Sequence, residues 1–192
     1  MTLLIFGLVL LLGVHSLRIV ADDWRTATRA RLGAGTWRLL YSLMALAGLV
    51  LVIVGYGQAR QAPVMLWMPQ PWARHPAALL MLVSFILIVA GNTPANAIRA
   101  KLGHPMILGV KLWAFTHLLA NHTLADLVLF GSFLVWGVFA YRAARRRDRA
   151  SGVSAPAATT WRTIATVAVA FILWAAFLLR GHQALIGVSV FG

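Results

Sequence analysis

Residues 3–21 read LLIFGLVLLLGVHSLRIVA, an apolar run with a histidine, a serine and an arginine gathered near its end. About 20 consecutive apolar residues are needed to cross the hydrocarbon core of a bilayer as a helix, so this stretch is expected to span one. A secretory leader would carry basic residues before its apolar core and a small-residue cleavage site after it. Here no basic residue precedes Leu3, and His15, Ser16 and Arg18 follow the core. The helix is therefore expected to be retained.

Outward from it, five more apolar runs cover 39–57, 77–98, 106–120, 124–141 and 163–179. Together the six define an all-α, polytopic membrane helix bundle of six transmembrane helices, a single domain filling 1–192. Composition agrees: 61% of the chain is hydrophobic and 11% charged, where a soluble domain carries about 25% charged residues. The mean hydropathy is +0.83. At 192 residues the six runs leave no room for a separate soluble domain.

The fourth run is the shortest, and only Asn121, His122 and Thr123 part it from the fifth, which predicts a tight helical hairpin. Thr123 and Asp126 have the spacing of a helix-opening capping box. His104-Pro105 suits the opening of the fourth helix, because proline is tolerated in a first turn. Residues 152–160, rich in Ser, Ala and Pro, read as a flexible linker.

The charges set the orientation. There are 17 Lys and Arg against four acids, Asp22, Asp23, Asp126 and Asp148, and no glutamate. With the N-terminus outside, 14 of the 17 cations fall on inner segments, leaving Arg60, Arg74 and Arg180 outside. The positive-inside rule therefore selects N-out and C-out, in a bacterial inner membrane. The same placement assigns the net charge of +13 to topology and attraction to anionic lipid, with no nucleic acid as partner. The Arg145–Arg147 run reads as a solvated stretch. Cysteine is absent, which excludes disulfides, thiolate metal sites and nucleophilic thiols.

Ionisable side chains at membrane depth are functional-site hypotheses by default. His15, late in the first run, and His117, eleven residues into the fourth, qualify. His75 and His104 sit beside prolines at span edges, and His122 and His182 in outer loops. Zinc would want more ligands than two imidazoles supply, whereas a haem needs one or two axial side chains and an aromatic and aliphatic surround. Trp113, His117 and Asn121 recur every four residues and share one helical face. Arg18, three residues after His15, could pair a propionate. At ~1.5 Å per residue, His15 lies roughly 9 Å from its inner end and His117 about 16 Å from its own, so a shared haem asks for helix tilt. The competing reading of both histidines, and of Asn92, Asn96 and Asn121, is hydrogen bonding between helices.

Several motifs in order resemble the NnrU family: His15-Ser16-Leu17-Arg18, Arg38-xx-Tyr41-Ser42-Leu43, Gly103-His104-Pro105-Met106-xx-Gly109, Trp113-xxx-His117-Leu118-Leu119-Ala120-Asn121, then Asp126, Phe130-Gly131 and the closing 182–187 stretch. The resemblance implies a membrane protein associated with nitrite and nitric oxide reduction. A related branch, the plant and cyanobacterial zeta-carotene isomerase, is a haem b membrane protein acting on a polyene, and its haem histidines match His15 and His117. A cysteine of that isomerase takes part in ligand switching; Ala114 stands in its place here. The resemblance thus implies haem b held by His15 and His117, with redox or isomerisation chemistry on a lipid-soluble substrate or support of a respiratory nitrogen-oxide system. Two alternatives stand beside it: a non-enzymatic membrane assembly or maturation factor, and an isoprenylcysteine-methyltransferase-like enzyme, which His104-Pro105-xxx-Gly109 resembles.

Overall fold

The structure is a computed structural model that describes residues 1–68, 71–152 and 157–190. Its helices are α1 (Thr2–Val20), α2 (Asp22–Leu32), α3 (Ala34–Ala59), α4 (Arg74–Asn92), α5 (Ala97–Leu102), α6 (Pro105–Ala120), α7 (Leu124–Ser151), α8 (Thr160–Ala176) and α9 (His182–Ile186). A five-residue π-helical stretch, Phe177–Gly181, joins the last two. The only bridge among the described residues is the isolated Met65–Thr123 pair.

Five of these segments are long and apolar enough to cross a membrane: α1, α3, α4, α7 and the continuous Thr160–Ile186. α6 is apolar but has only 16 residues, or about 24 Å at 1.5 Å per residue. The spanning segments and α6 pack in a row, α3–α1–α7–α6–α4–α8. Neighbours along the chain run antiparallel, so one end of the row collects α2, α5 and the end of α7, with most of the arginines. We call it the basic end. The opposite end collects the start of α1, the α3–α4 and α6–α7 connections and the tail after α8.

Lipid tails are as apolar as leucine, so helix association in a membrane depends on close packing. α1 and α3 show this. A Cβ placed on Gly48 would come within 2.7 Å of the Leu11 nitrogen, so glycine is what lets the two backbones meet. The main buried cluster joins Leu4, Leu8 and Leu11 of α1 to Val52, Ala114, Ala125, Leu129 and Phe130. The lipid-facing side of α3 is left apolar and open, with Leu39, Leu43, Leu46, Val50 and Ile53 all exposed.

The capping box is present: Thr123 Oγ1 accepts from the Asp126 N–H at 3.2 Å and Asp126 accepts from the Thr123 N–H at 3.0 Å. Pro105 opens α6 as expected. Four features differ from the sequence reading. The third apolar run breaks at Asn92, because Asn96 turns back to cap α5 through the Arg99 N–H at 2.8 Å. α7 runs ten residues past Tyr141, carrying Arg142–Arg149 as helix rather than as a loose stretch. Asp22–Leu32 forms a helix of its own, with no buried residue. The asparagines bond locally, Asn92 to Ile88 O, Asn96 to Ala90 O and Thr93 O, and Asn121 to His117 O, rather than between spanning helices. Residues 153–156 of the expected linker lie outside the described residues.

Candidate functional site

α6 ends short of the opposite end of the bundle, and other segments close over the space beyond it. Backbone bonds from Leu66 N to His122 O and from Leu124 N to Val64 O, both 2.9 Å, pin the α3–α4 connection across the α6–α7 turn. The tail after α8 folds back from another side. The result is a cavity of about 260 Å³ between α4, α6, α8 and the tail. Its walls are mostly apolar and aromatic, with Phe85, Trp174 and Phe177 among them. His117, Asn121, His122, His182, Thr116 and Arg74 bring polar groups to it.

His117 is fixed from several sides. Its ring stacks on Phe130 at 4.5 Å between centroids and 24° between planes, and Trp113 lies 5.2 Å away. His117 Nδ1 bonds Trp113 O at 2.8 Å. A carbonyl oxygen can only accept, so the proton resides on Nδ1 and the neutral ring keeps the Nε2 lone pair for a ligand. His182 has the same arrangement: its Nδ1 donates to Val188 O at 2.7 Å, and its ring stands edge-on to Phe177 at 5.8 Å. The π-helical stretch just before His182 is the kind of irregularity frequently found at functional sites.

Two atoms at this cavity lack an expected partner. Thr116 is 1% exposed, and its Oγ1 has no hydrogen bond among the described residues. The buried Nδ1 of His122 has none either. A buried polar group left unpaired costs about 1–3 kcal/mol, so two of them beside one cavity mark a place built for a polar or ligating guest.

The other expected site residues divide. The Trp113, His117 and Asn121 stripe forms as read. His15 and Arg18 lie at the basic end, around a second cavity between α1, α2 and α3. His15 Nδ1 bonds Leu11 O at 2.7 Å, with Tyr41 at 5.3 Å and Trp136 at 6.1 Å. His15 and His117 thus line different cavities at opposite ends of the row. The reason is direction: both sit near the C-terminal ends of their helices, and α1 and α6 run opposite ways. His182, Thr116 and Arg74 were not singled out by spacing. The fold of the tail that brings His182 in rests on a π-helical turn with no local sequence signature.

His104 has a structural task. Its Nε2 meets both Asp148 oxygens at 3.0–3.1 Å, and Arg145 reaches the same carboxylate at 3.2 Å. Gly103 before it has φ +73°, a conformation that glycine adopts without penalty. This segment fastens the start of α6 to the end of α7. Among the described residues no group of three or more His, Asp or Glu is arranged to hold a metal ion.

The chain matches no curated protein and no solved structure. The family model described as NnrU protein matches residues 3–190. With nearly the whole length covered, the chain belongs to the NnrU family.

Proposed function

We propose that this NnrU protein is an inner-membrane bundle of six spans, N-out and C-out, that binds haem b in the His117 cavity. α6 is the sixth span, shielded between α4 and α7 so that its shortness is met by the segments closing over its end. The 14 cations of the basic end face the cytoplasm.

The observation that carries the haem reading is the pairing of His117 and His182 at one aromatic-walled cavity, each with Nδ1 committed to a backbone carbonyl and Nε2 left to ligate. The donor set fits haem: two imidazoles for the axial positions, Arg74 for a propionate, and Phe85, Trp174 and Phe177 against the macrocycle. The pairing of His15 with His117 lacks this support, since the two line separate cavities. Bound haem would supply one-electron chemistry to a lipid-soluble substrate or to a respiratory nitrogen-oxide system.

The chain's own part is to hold and orient. The Trp113 carbonyl sets the His117 tautomer, Phe130 stacking fixes the ring plane, and Thr116 Oγ1 and His122 Nδ1 offer hydrogen bonds to polar atoms of the guest. Ala114 leaves the fourth helix without a thiolate to exchange for an imidazole, so the same two histidines serve throughout a cycle.

The test is haem quantification on detergent-purified protein from haem-replete cells. Stoichiometric haem is expected in the wild type, with His117→Ala reducing it at least tenfold while the unfolding temperature stays close to wild type. Colourless, folded wild-type protein would overturn the reading.

A further inference from the structure

The second cavity, about 450 Å³, opens at the basic end and is lined by Arg18, Arg25, Arg29 and Arg38, with His15 and Tyr41 deeper in. Four guanidinium groups from three helices converge there. No carboxylate lines the cavity among the described residues; Asp22, at its edge, pairs with Arg25 at 3.6 Å. Arg25 and Arg29 are four residues apart on α2 and so share one face. Converging like charges repel unless an anion sits between them, and nothing else in the fold brings these four together.

The position fits a particular anion. α2 has no buried residue and carries Trp24, whose ring packs against Trp37 of α3 at 6.3 Å. Tryptophans of this kind sit at headgroup level in a bilayer. Basic pockets between helices at the cytoplasmic face take anionic headgroups, and the guanidinium fork matches phosphate oxygens better than an ammonium does. Val14 lines the inner wall, where an acyl chain would leave the site.

We infer that the α1–α2–α3 cavity is a binding site for a phosphate ester, held by Arg18, Arg25, Arg29 and Arg38. The site is independent of the haem reading and lies at the other end of the molecule. The chemistry is shared by an anionic phospholipid headgroup and a soluble phosphate ester.

Full-length purified protein is titrated with short-chain phosphatidylglycerol, short-chain phosphatidylcholine and inorganic phosphate, each followed by calorimetry. Saturable phosphatidylglycerol binding, with phosphatidylcholine much weaker, assigns the lipid source; saturable phosphate binding without a lipid preference assigns the soluble ester. In either case Arg25→Gln and Arg29→Gln should each weaken binding about fivefold. The pair Arg142→Gln and Arg149→Gln, exposed elsewhere at the same end, should leave it within about twofold. Equal weakening by the two pairs would show a general surface charge effect and overturn the inference, as would the absence of binding by both phosphatidylglycerol and phosphate. Unfolding temperatures of all variants confirm that each is folded.

Discussion

Asp126 is the residue on which the opposite end of the bundle turns. It accepts from the Thr123 backbone N–H at 3.0 Å and from the Thr123 hydroxyl at 2.6 Å, and it receives the Tyr56 hydroxyl of α3 at 2.5 Å. It is 5% exposed. The first half of this was legible, since T-x-x-D before an apolar run is a local pattern. The Tyr56 bond spans 70 residues of sequence, and nothing local announces it. Removing one partner of a charged, buried hydrogen bond costs about 1.5–3 kcal/mol, so Tyr56→Phe should lower stability by that amount. Asp126→Ala should cost more, because it also removes a cap worth about 1 kcal/mol. Unfolding in a common detergent, followed by the helical signal, measures both. Equal stability of Tyr56→Phe and wild type would show that the hydroxyl is no tie between α3 and α7.

Helix identity was readable because apolar runs of spanning length leave few alternatives; helix ends and phase were not. The third run breaks at Asn92 through the fold-back of Asn96, and the sixth changes its turn at Phe177–Gly181. That second change governs the site. A π-helical turn holds one more residue than the α-helical turn it replaces, so removing one exposed residue there restores the α pitch and rotates the tail beyond it by about 100°. Deleting Leu179, which is 70% exposed, should leave helical content intact while swinging His182 away from the cavity and reducing haem retention at least tenfold. Full retention would separate His182 from ligand binding. On the α1–α3 pair the expectation is different in kind. Gly48→Leu must push Leu11 aside and should cost about 1–3 kcal/mol through overpacking, with the cavity at the other side of the row unaffected.

At the scale of the molecule, the charge distribution forecast the arrangement well. The 14 cations assigned to one side do gather at one end of the bundle, because positions along alternating helices are fixed once the runs are found. α2 escaped notice because it has no apolar stripe to bury, and the sharing of cavities escaped because it depends on the lateral order α3–α1–α7–α6–α4–α8, which run lengths do not encode. The absence of native cysteine makes the topology directly testable. A membrane-impermeant maleimide should label Gln61→Cys in intact cells and Ser151→Cys only after lysis. The reverse pattern would invert the bundle and move the arginine-lined cavity to the outer face.

The central claim, that one cavity at the opposite end holds haem between His117 and His182, is tested most directly by the reduced-minus-oxidised optical spectrum of three purified proteins: wild type, His182→Ala and His15→Ala. A low-spin bis-histidine spectrum is expected for the wild type and for His15→Ala, with His182→Ala giving a high-spin or colourless protein. A low-spin spectrum that survives in His182→Ala and disappears in His15→Ala would contradict it.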